Sequence, residues 1–322
     1  MKSNSVNNNL TLQEKNQSKV FWARLSVLSN TGLIALKLFV WVASGSLAIL
    51  SEAVHSAIDL LAAVIALFAV RTSAKPADEC HPYGHGKYEN ISGLFESLLI
   101  IAAAIYIVYE AIPKLFVPIE INRIDFGIWV MLASGVINFF VSRKLHKIAK
   151  QTDSIALETD GAHLSVDVWT CLGVMAGLVI IRITGWHWLD PIISVFIAVY
   201  ILIIGIRLCL KSVNDIVDRS LDQQDTDLII DAINRYKSHL QGYHKLATRK
   251  SGSTRIIEFH LQFDGTVNLT YAHSIAKKIE NVIKGHFSDS RVIIHIEPCK
   301  SDCHVCTVEQ CVSRINDPQQ ER

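Results

Sequence analysis

The apolar stretch over residues 50–70 constrains this chain most, because it is long enough to cross a bilayer yet carries His55 and Asp59 near its middle. A transmembrane helix needs about 20 mostly apolar residues, and a charged side chain at its centre costs roughly 2.5–3.5 kcal/mol on insertion scales. A spacing of four residues places both side chains on one helix face. The pair therefore predicts a functional site inside a membrane helix, with a hydrogen-bonded link between two helices as the structural alternative.

A second apolar stretch, residues 155–183, repeats this spacing with His163 and Asp167. Two neutral imidazoles and two carboxylates make an N₂O₂ ligand set whose charge cancels that of a divalent cation. Imidazole ligands favour zinc and its transition-metal neighbours, whereas an all-oxygen set favours magnesium, calcium or manganese. We predict one intramembrane metal site, the membrane quartet, formed by His55, Asp59, His163 and Asp167.

Six apolar segments predict six transmembrane helices between a disordered or loosely helical tail over 1–19 and a soluble C-terminal part, so that the membrane domain covers residues 20–212. The composition fits this division, since 50% of the 322 residues are hydrophobic and 19% are charged. The formal net charge of +1 gives no basic surface bias, and we expect no nucleic-acid partner. The segments are 21–45, 49–71, 91–112, 126–142, 155–182 and 189–210.

Lysine and arginine are concentrated in the N-terminal tail and in the connections between segments 2 and 3 and segments 4 and 5. The positive-inside rule then places both termini in the cytoplasm. Glu52 and Asp160 each precede a quartet histidine by three residues, and a relay of ions or protons is one interpretation of them. The other polar residues of the segments are interpreted as helix–helix hydrogen bonds or snorkelling side chains; they are Asn30, Lys37, Glu96 and Asn138.

The connection between segments 2 and 3 reads KPADECHPYGHGKYEN and carries a second set of ligand types. Asp78, His81 and His85, the loop triad, offer one carboxylate and two imidazoles within eight residues. Three ligands from a short loop are typical of a weak, exchangeable metal site. A hydrogen-bonded turn is the structural alternative.

The pattern changes near residue 213 to that of a small soluble domain, which we place at residues 213–298. Helical and alternating stretches follow in the order αββαβ, which predicts a two-layer α+β sandwich. Ligand types recur along it, and a spacing of two places His295 and Glu297 on one strand face. We predict cytoplasmic metal binding by His244, His260, His273, His295 and Glu297.

The C-terminal tail, residues 299–322, is rich in cysteine and reads CKSDCHVCTVEQC at its start. In a reducing cytoplasm such a cluster favours thiolate metal binding over disulfides. A redox-labile tail is the alternative, since the spacing matches no familiar zinc pattern. The candidate ligands are Cys299, Cys303, Cys306 and Cys311.

Three of these motifs together resemble the cation diffusion facilitator family: the paired HxxxD motifs, the PAD…H…GHGK loop and the terminal HIEP strand. The resemblance covers about residues 20–298. It implies a homodimer of six-helix protomers with ferredoxin-like cytoplasmic domains, in the inner membrane of a bacterial cell, that exports divalent metal in exchange for protons. It also implies that zinc is both substrate and regulatory ligand, with no organic cofactor.

The resemblance assigns roles residue by residue. It makes the membrane quartet the transport site, the loop triad a second metal site, and the cytoplasmic histidines with Glu297 a binuclear site between two copies. Glu297 stands where relatives often carry aspartate. Lys87 and Asp218 match a charge pair that ties the membrane part to the soluble domain.

Two other classes of function remain open from the sequence. An intramembrane metalloenzyme is disfavoured because four protein ligands close the coordination sphere and no HExxH motif is present, so we expect no enzyme activity. A metal sensor or scaffold would explain the cytoplasmic histidines but would leave the membrane quartet without a role. Among metals, zinc is preferred, with Cd²⁺, Fe²⁺, Co²⁺ and Ni²⁺ as alternatives.

Overall fold

The computed structural model describes residues 11–44, 47–116, 126–184 and 189–299, which form two compact units that divide after Ile216. The first unit is built of long helices. The second is a small α+β unit. This division agrees with the expected change from a membrane part to a soluble part.

Six helices make up the described part of the first unit: α1 (Leu12–Ser44), α2 (Leu47–Ser73), α3 (Lys87–Phe116), α4 (Phe126–Thr152), α5 (Ile155–Thr184) and α6 (Leu189–Ile216). Four stretches within the described residues are long and apolar enough to cross a membrane: Leu12–Ala43, Ala53–Ser73, Lys87–Pro113 and Pro191–Ile216. They lie in α1, α2, α3 and α6. The described parts of α4 and α5 contain no stretch that meets the same length and composition, so a count of six spans stays a prediction.

Residues 12–19 of the predicted tail belong to α1, which agrees with the helical alternative and not with disorder. A capping box starts this helix: the backbone N–H of Thr11 donates to Glu14 Oε2 at 2.7 Å, and that of Glu14 donates to Thr11 Oγ1 at 3.3 Å. Lys19 is buried within the unit, at 2% exposure. Polar composition suggested disorder, but these local bonds and the burial of Lys19 stabilise a helix. Residues 1–10 lie outside the described part of the chain.

Helix α5 has a central position, because it packs against α2, α3, α4 and α6. Leu145 of α4 and Leu157 and Leu164 of α5 share one fully buried cluster. Ile100 of α3, Val166 of α5 and Ile201 of α6 share another. This packing fixes α5 between its neighbours and brings its histidine and aspartate next to those of α2.

The second unit follows the predicted order αββαβ: α7 (Gln223–Asn234), β1 (Gly242–Ser251), β2 (Thr254–Asp264), α8 (Leu269–His286) and β3 (Ser290–Cys299). A short 3₁₀ helix, Lys237–His239, follows α7. The sheet order is β1-β2-β3, with β1 antiparallel and β3 parallel to β2. The α+β class is therefore confirmed, whereas a ferredoxin-like fold stays a prediction.

Both helices of this unit contribute to one apolar core. Ile257, Phe259 and Leu261 alternate along β2 and pack with Ile275 and Ile279 of α8. Because successive strand residues point to opposite faces, the intervening residues of β2 face away from this core. The sheet thus keeps one face for packing and leaves the other for polar side chains.

Candidate metal centre

The membrane quartet assembles from two helices. His163 Nε2 on α5 lies 3.0 Å from Asp59 Oδ1 on α2, and His55 Nε2 on α2 lies 3.7 Å from Asp167 Oδ1 on α5. Within α2, His55 Nε2 is 3.9 Å from Asp59 Oδ1. The i, i+4 spacing on each helix provides the two pairs, and the packing of α2 against α5 brings them face to face.

These separations suit a small four-coordinate ion. Metal–ligand bonds of about 2.0–2.2 Å in tetrahedral geometry place neighbouring ligand atoms about 3.3–3.6 Å apart, and the three observed distances lie on either side of that range. Ligand atoms of His55, Asp59 and Asp167 lie within 4.8 Å of one another, and His163 joins them through Asp59.

Burial in the quartet is uneven. The side chains of Asp59 and His163 are each 6% exposed, whereas that of His55 is 49% exposed in the single chain. His163 Nδ1 is buried without a hydrogen-bond partner among the described residues. The site therefore has an enclosed side and an open side, as an ion-binding site must have if the ion is to enter it.

Asn138 is a site residue that the sequence did not reveal. Its side-chain amide on α4 donates to Asp167 Oδ2 at 3.0 Å, and its side chain is buried. For an intramembrane asparagine the sequence favours a helix–helix hydrogen bond or a snorkelling side chain, and the bond to Asp167 is of the first kind. Its partner depends on how α4 packs. The available signal in the sequence was a polar residue, Asn138, within the apolar segment that precedes α5 in the chain.

Of the two residues considered for a relay, the structure describes the side chain of only one. Asp160 is 1% exposed, and its Oδ2 has no hydrogen-bond partner among the described residues. The side chain of Glu52 lies outside the described part. A relay through either residue stays a prediction.

The loop triad also comes together. Asp78 lies between the two histidines, with Oδ1 3.3 Å from His81 Nδ1 and Oδ2 3.3 Å from His85 Nε2. The backbone N–H of His81 donates to Asp78 Oδ1 at 2.6 Å, and this bond holds the pKa of Asp78 below its usual value. An ionised carboxylate between two imidazoles is a suitable half-shell for a divalent ion.

A tight turn sets this geometry. The backbone N–H of Gly84 donates to the carbonyl of His81 at 2.9 Å, and Gly84 has φ +85°, a conformation that a side chain would strain. His85 is nearly buried, whereas Asp78 and His81 are about half exposed. The hydrogen-bonded turn that the sequence offered as the structural alternative is thus present. It also brings the three ligand types together on one side of the loop.

The third set lies across the strands of the second unit. His244 of β1 is paired with His260 of β2, which is paired with His295 of β3. The ring centroids are 5.2 Å apart for the first pair and 4.6 Å for the second. We call these three histidines and Glu297 the strand cluster. It lies on the sheet face opposite the apolar core.

Glu297 links the row. Its Oε1 lies 2.6 Å from His244 Nε2 and its Oε2 lies 3.3 Å from His260 Nδ1. The His244 contact lacks the geometry of a hydrogen bond, so this buried nitrogen has no hydrogen-bond partner among the described residues. A carboxylate and two imidazoles around one point, with the buried His244 nitrogen left without a hydrogen bond among the described residues, are a chemical fit for a shared cation.

Electrostatics keep these groups ready for a metal. Burial lowers the pKa of His244, although the charge of Glu297 opposes this effect. Burial opposes ionisation of Glu297, but the hydrogen bond from His260 and the charge of His244 hold its pKa below the usual value. Neutral imidazole and ionised carboxylate are the forms that bind metal.

The remaining predicted residues do not join these sets within the described chain. His273 lies on the exposed side of α8, the helix on the other face of the sheet. Cys299 ends β3, whereas Cys303, Cys306 and Cys311 lie outside the described residues.

For the predicted charge pair, the structure gives the partners of each residue within its own unit. Lys87 donates to the backbone carbonyls of Asp215 and Ile216, at 2.6 and 3.1 Å. Asp218 pairs with Arg249 at 3.2 Å. The Lys87–Asp218 pair stays a prediction.

Comparison with known families accounts for nearly the whole described chain. The model of the cation efflux transmembrane domain matches residues 23–217. The model of the cation efflux protein cytoplasmic domain, named ZT_dimer, matches residues 221–299. The boundary between the two matches falls where the two compact units divide.

Individual relatives match over most of their length. An uncharacterized transporter of Synechocystis sp. is 34% identical over 277 residues, or 86% of this chain and 89% of the relative. The cation-efflux pump FieF of Citrobacter koseri is 33% identical over 271 residues, or 83% of this chain and 88% of the relative. The solved Zn form of the transporter CzrB is 27% identical and covers 25% of this chain and 92% of its own, with a TM-score of 0.24.

Proposed function

Because the chain belongs to the cation diffusion facilitator family of cation efflux proteins, we propose that it exports Zn²⁺ from the cytoplasm in exchange for protons. The family supports efflux of divalent metal ions by a multi-pass membrane protein. Zinc as the main substrate and the proton exchange are the finer parts of the proposal.

The observation that carries the proposal is the meeting of the two HxxxD pairs across α2 and α5. Their closest ligand atoms are 3.0–3.9 Å apart, close to the separation between two ligand atoms of a tetrahedral zinc site. Two imidazoles in the set favour zinc over the hard cations that prefer oxygen. Four protein ligands also fill the coordination sphere, which suits a carried ion rather than a catalytic one.

Coupling to protons follows from the chemistry of these ligands. Histidine must be neutral and aspartate ionised to bind the metal, so protons and metal compete for the same four side chains. A more acidic exterior would protonate the site when it faces outward and release the ion. Return of the protonated site to the cytoplasmic side then completes an exchange.

We propose six spans with both termini in the cytoplasm, in the inner membrane, and assembly as a homodimer. The excess of lysine and arginine in the tail and in two connections supports the orientation. The match to the ZT_dimer model supports the dimer. The loop triad and the strand cluster are then cytoplasmic metal sites, and metal at the strand cluster regulates transport.

The test is zinc uptake into proteoliposomes with an imposed pH gradient. Asp59→Asn and Asp167→Asn keep the side-chain shape but remove the charge that the metal needs, and we expect each to lower flux at least 100-fold, about 2.7 kcal/mol. Glu158→Gln is the matched control, because Glu158 lies on the same α5 but outside the quartet, and its side chain pairs with the exposed Lys211 at 2.6 Å. It should leave the flux unchanged.

Each other outcome points elsewhere. Flux that persists in both aspartate variants would move the transport site away from the quartet. A natural chain that binds zinc yet shows no flux under any gradient would favour the metal sensor. Flux that ignores the pH gradient would leave metal transport but remove the proton exchange.

A further inference from the structure

Asn138 holds one oxygen of a quartet ligand. Its amide nitrogen donates to Asp167 Oδ2 at 3.0 Å, while Asp167 Oδ1 faces His55 Nε2 at 3.7 Å. The two oxygens of this carboxylate thus have different neighbours: one is turned toward the ion-binding position and the other is bound by α4.

The orientation of the amide is set by chemistry. An ionised carboxylate only accepts hydrogen bonds, so the NH₂ group of Asn138 must face Asp167 and its carbonyl oxygen must face away. That carbonyl oxygen is buried without a hydrogen-bond partner among the described residues. The amide therefore makes its hydrogen bond to Asp167 and leaves its own carbonyl oxygen without one. A buried polar group without a partner calls for an explanation, and here the neighbouring site explains how the amide is placed.

Two other contacts hold α4 against α5 independently of Asn138. Ser142 Oγ lies 2.8 Å from Ser165 Oγ, one turn along α4, and Cys171 Sγ lies 3.5 Å from the backbone carbonyl of Met131. These contacts flank the Asn138–Asp167 bond on both sides. The register of the two helices does not depend on Asn138 alone, so its replacement should change the site without unpacking the helices.

A carboxylate can bind a cation through one oxygen or through both. Zinc sites in proteins are mostly four-coordinate, whereas larger or harder cations with six or more ligands often take a carboxylate through both oxygens. The hydrogen bond from Asn138 fixes the rotation of this carboxylate, with Oδ1 toward the ion-binding position and Oδ2 toward α4. This rotation favours a single bond from Asp167 to the ion, through Oδ1.

We propose that Asn138 determines metal specificity: by holding Asp167 Oδ2 it restricts the quartet to four bonds and selects Zn²⁺ against six-coordinate cations such as Mn²⁺. This inference rests on the proposed function, because it takes the quartet to be the transport site. Asn138 acts as a positioning residue, through Asp167 and not through the ion. Outer-shell partners of this kind typically change metal affinity or activity 10–100-fold.

The test compares fluxes of Zn²⁺ and Mn²⁺ into proteoliposomes at one pH gradient for the natural full-length protein, Asn138→Leu, Asn138→Ala and Ser142→Ala. Leucine has nearly the shape of asparagine without its donor, and alanine serves if leucine prevents folding. Both should lower the Zn²⁺ to Mn²⁺ flux ratio about tenfold or more. Ser142→Ala is the matched control, since it breaks an α4–α5 bond without touching Asp167, and its ratio should equal that of the natural chain.

Coordination is read separately with Co²⁺ bound to the purified protein in detergent. The spectrum of Asp59→Asn, which lacks the intact quartet, is subtracted to remove the cytoplasmic sites. Tetrahedral Co²⁺ gives intense visible bands and octahedral Co²⁺ gives weak ones. We expect intense bands for the natural chain and for Ser142→Ala, and weakened bands for Asn138→Leu and Asn138→Ala.

An unchanged flux ratio in both Asn138 variants overturns the inference, as does an equal fall in Ser142→Ala, which would show a purely structural role. If the Asn138 variants lose the flux of both metals, the Co²⁺ spectra test the inference instead. Bands that stay intense in these variants overturn it. Failure of the proposed function looks different, because the natural chain itself would then show no flux, whether or not it gives a Co²⁺ signal that depends on Asp59.

Discussion

Glu89 is a buried carboxylate with several hydrogen-bond donors around it. It is 1% exposed on α3, and its carboxylate accepts hydrogen bonds from Lys19 Nζ at 3.0 Å and from Ser73 Oγ at 2.7 Å. The hydroxyl of Ser154 donates to its other oxygen. One side chain thus joins α1, the end of α2 and the turn before α5.

We expect Lys19→Met to destabilise the protein by about 3–5 kcal/mol, because it leaves a buried carboxylate without its cation. Glu89→Gln should destabilise it comparably by taking the carboxylate charge away from the buried ammonium group of Lys19. The double variant Lys19→Met with Glu89→Gln should lose less than the sum of the two. Unfolding in detergent of the natural chain and the three variants, as a double-mutant cycle, measures this coupling.

Lys211→Met is the control for this cycle. Lys211 and Glu158 lie 2.6 Å apart, but their side chains are 42% and 35% exposed. Water screens such a pair, and its loss should cost about 0–1 kcal/mol. Single losses that add without coupling at Lys19 and Glu89 would contradict the expectation.

At the residue scale, what the sequence predicts depends on whether the relation is local. The pairs His55–Asp59 and His163–Asp167 follow from helix geometry within one segment. Asn138 is 29 residues from Asp167, and nothing in the sequence fixes which face of α4 meets α5. Its contact with the quartet is therefore a result of packing that only the structure shows.

Helices α3 and α6 approach closely through small residues. A Cβ added at Gly205 of α6 would lie 2.9 Å from Ile101 Cγ1 and 3.3 Å from the Ile101 backbone nitrogen. A Cβ added at Gly93 of α3 would lie 2.9 Å from Ser212 Oγ. Small residues at helix seams allow such close packing in membrane proteins.

We expect Gly205→Ala to lower the free energy of unfolding by about 1–3 kcal/mol, because the added methyl group has backbone as well as side-chain atoms in its way. Gly32→Ala on α1 is the control, since a Cβ there meets nothing within 4 Å. Alanine is the better helix former, so this variant should be neutral or gain up to about 1 kcal/mol. Thermal unfolding of both variants in detergent is the measurement, and equal stabilities would contradict the packing argument.

In the sheet, too, the sequence predicts the relations within one strand but not those between strands. Alternation along β3 predicted that His295 and Glu297 share a face, which follows from the period of two. The row from His244 through His260 to His295 needs more: the register of an antiparallel pair, a parallel pair connected through α8, and a bulge after His244 where Lys245 has φ +51°. Strand registers of this kind are set by the assembled core and not by any one strand.

At the scale of the whole molecule, the described residues of both compact units include candidate metal ligands, and one of these sets, the membrane quartet, lies in the proposed spans. A transporter with a second metal site can respond to its own substrate, provided that the ion binds one conformation better than the other. The strand cluster suits this role, because its ligands lie on a sheet face that is free of the apolar core.

We expect the double variant His260→Ala with His295→Ala to raise the zinc concentration for half-maximal flux about fivefold or more, with the maximal flux retained, since coupling energies of 1–3 kcal/mol correspond to about 5–150-fold shifts. The membrane quartet is intact in this variant, so the ion can still be carried once its concentration is high enough. Zinc-dependent flux in proteoliposomes, over a range of zinc concentrations on the side of the cytoplasmic domain, measures the shift. His286→Ala provides the control, because His286 is exposed at the end of α8 and outside the cluster. A zinc dependence identical to that of the natural chain would separate the strand cluster from regulation, and a fall in maximal flux alone would assign it to assembly instead.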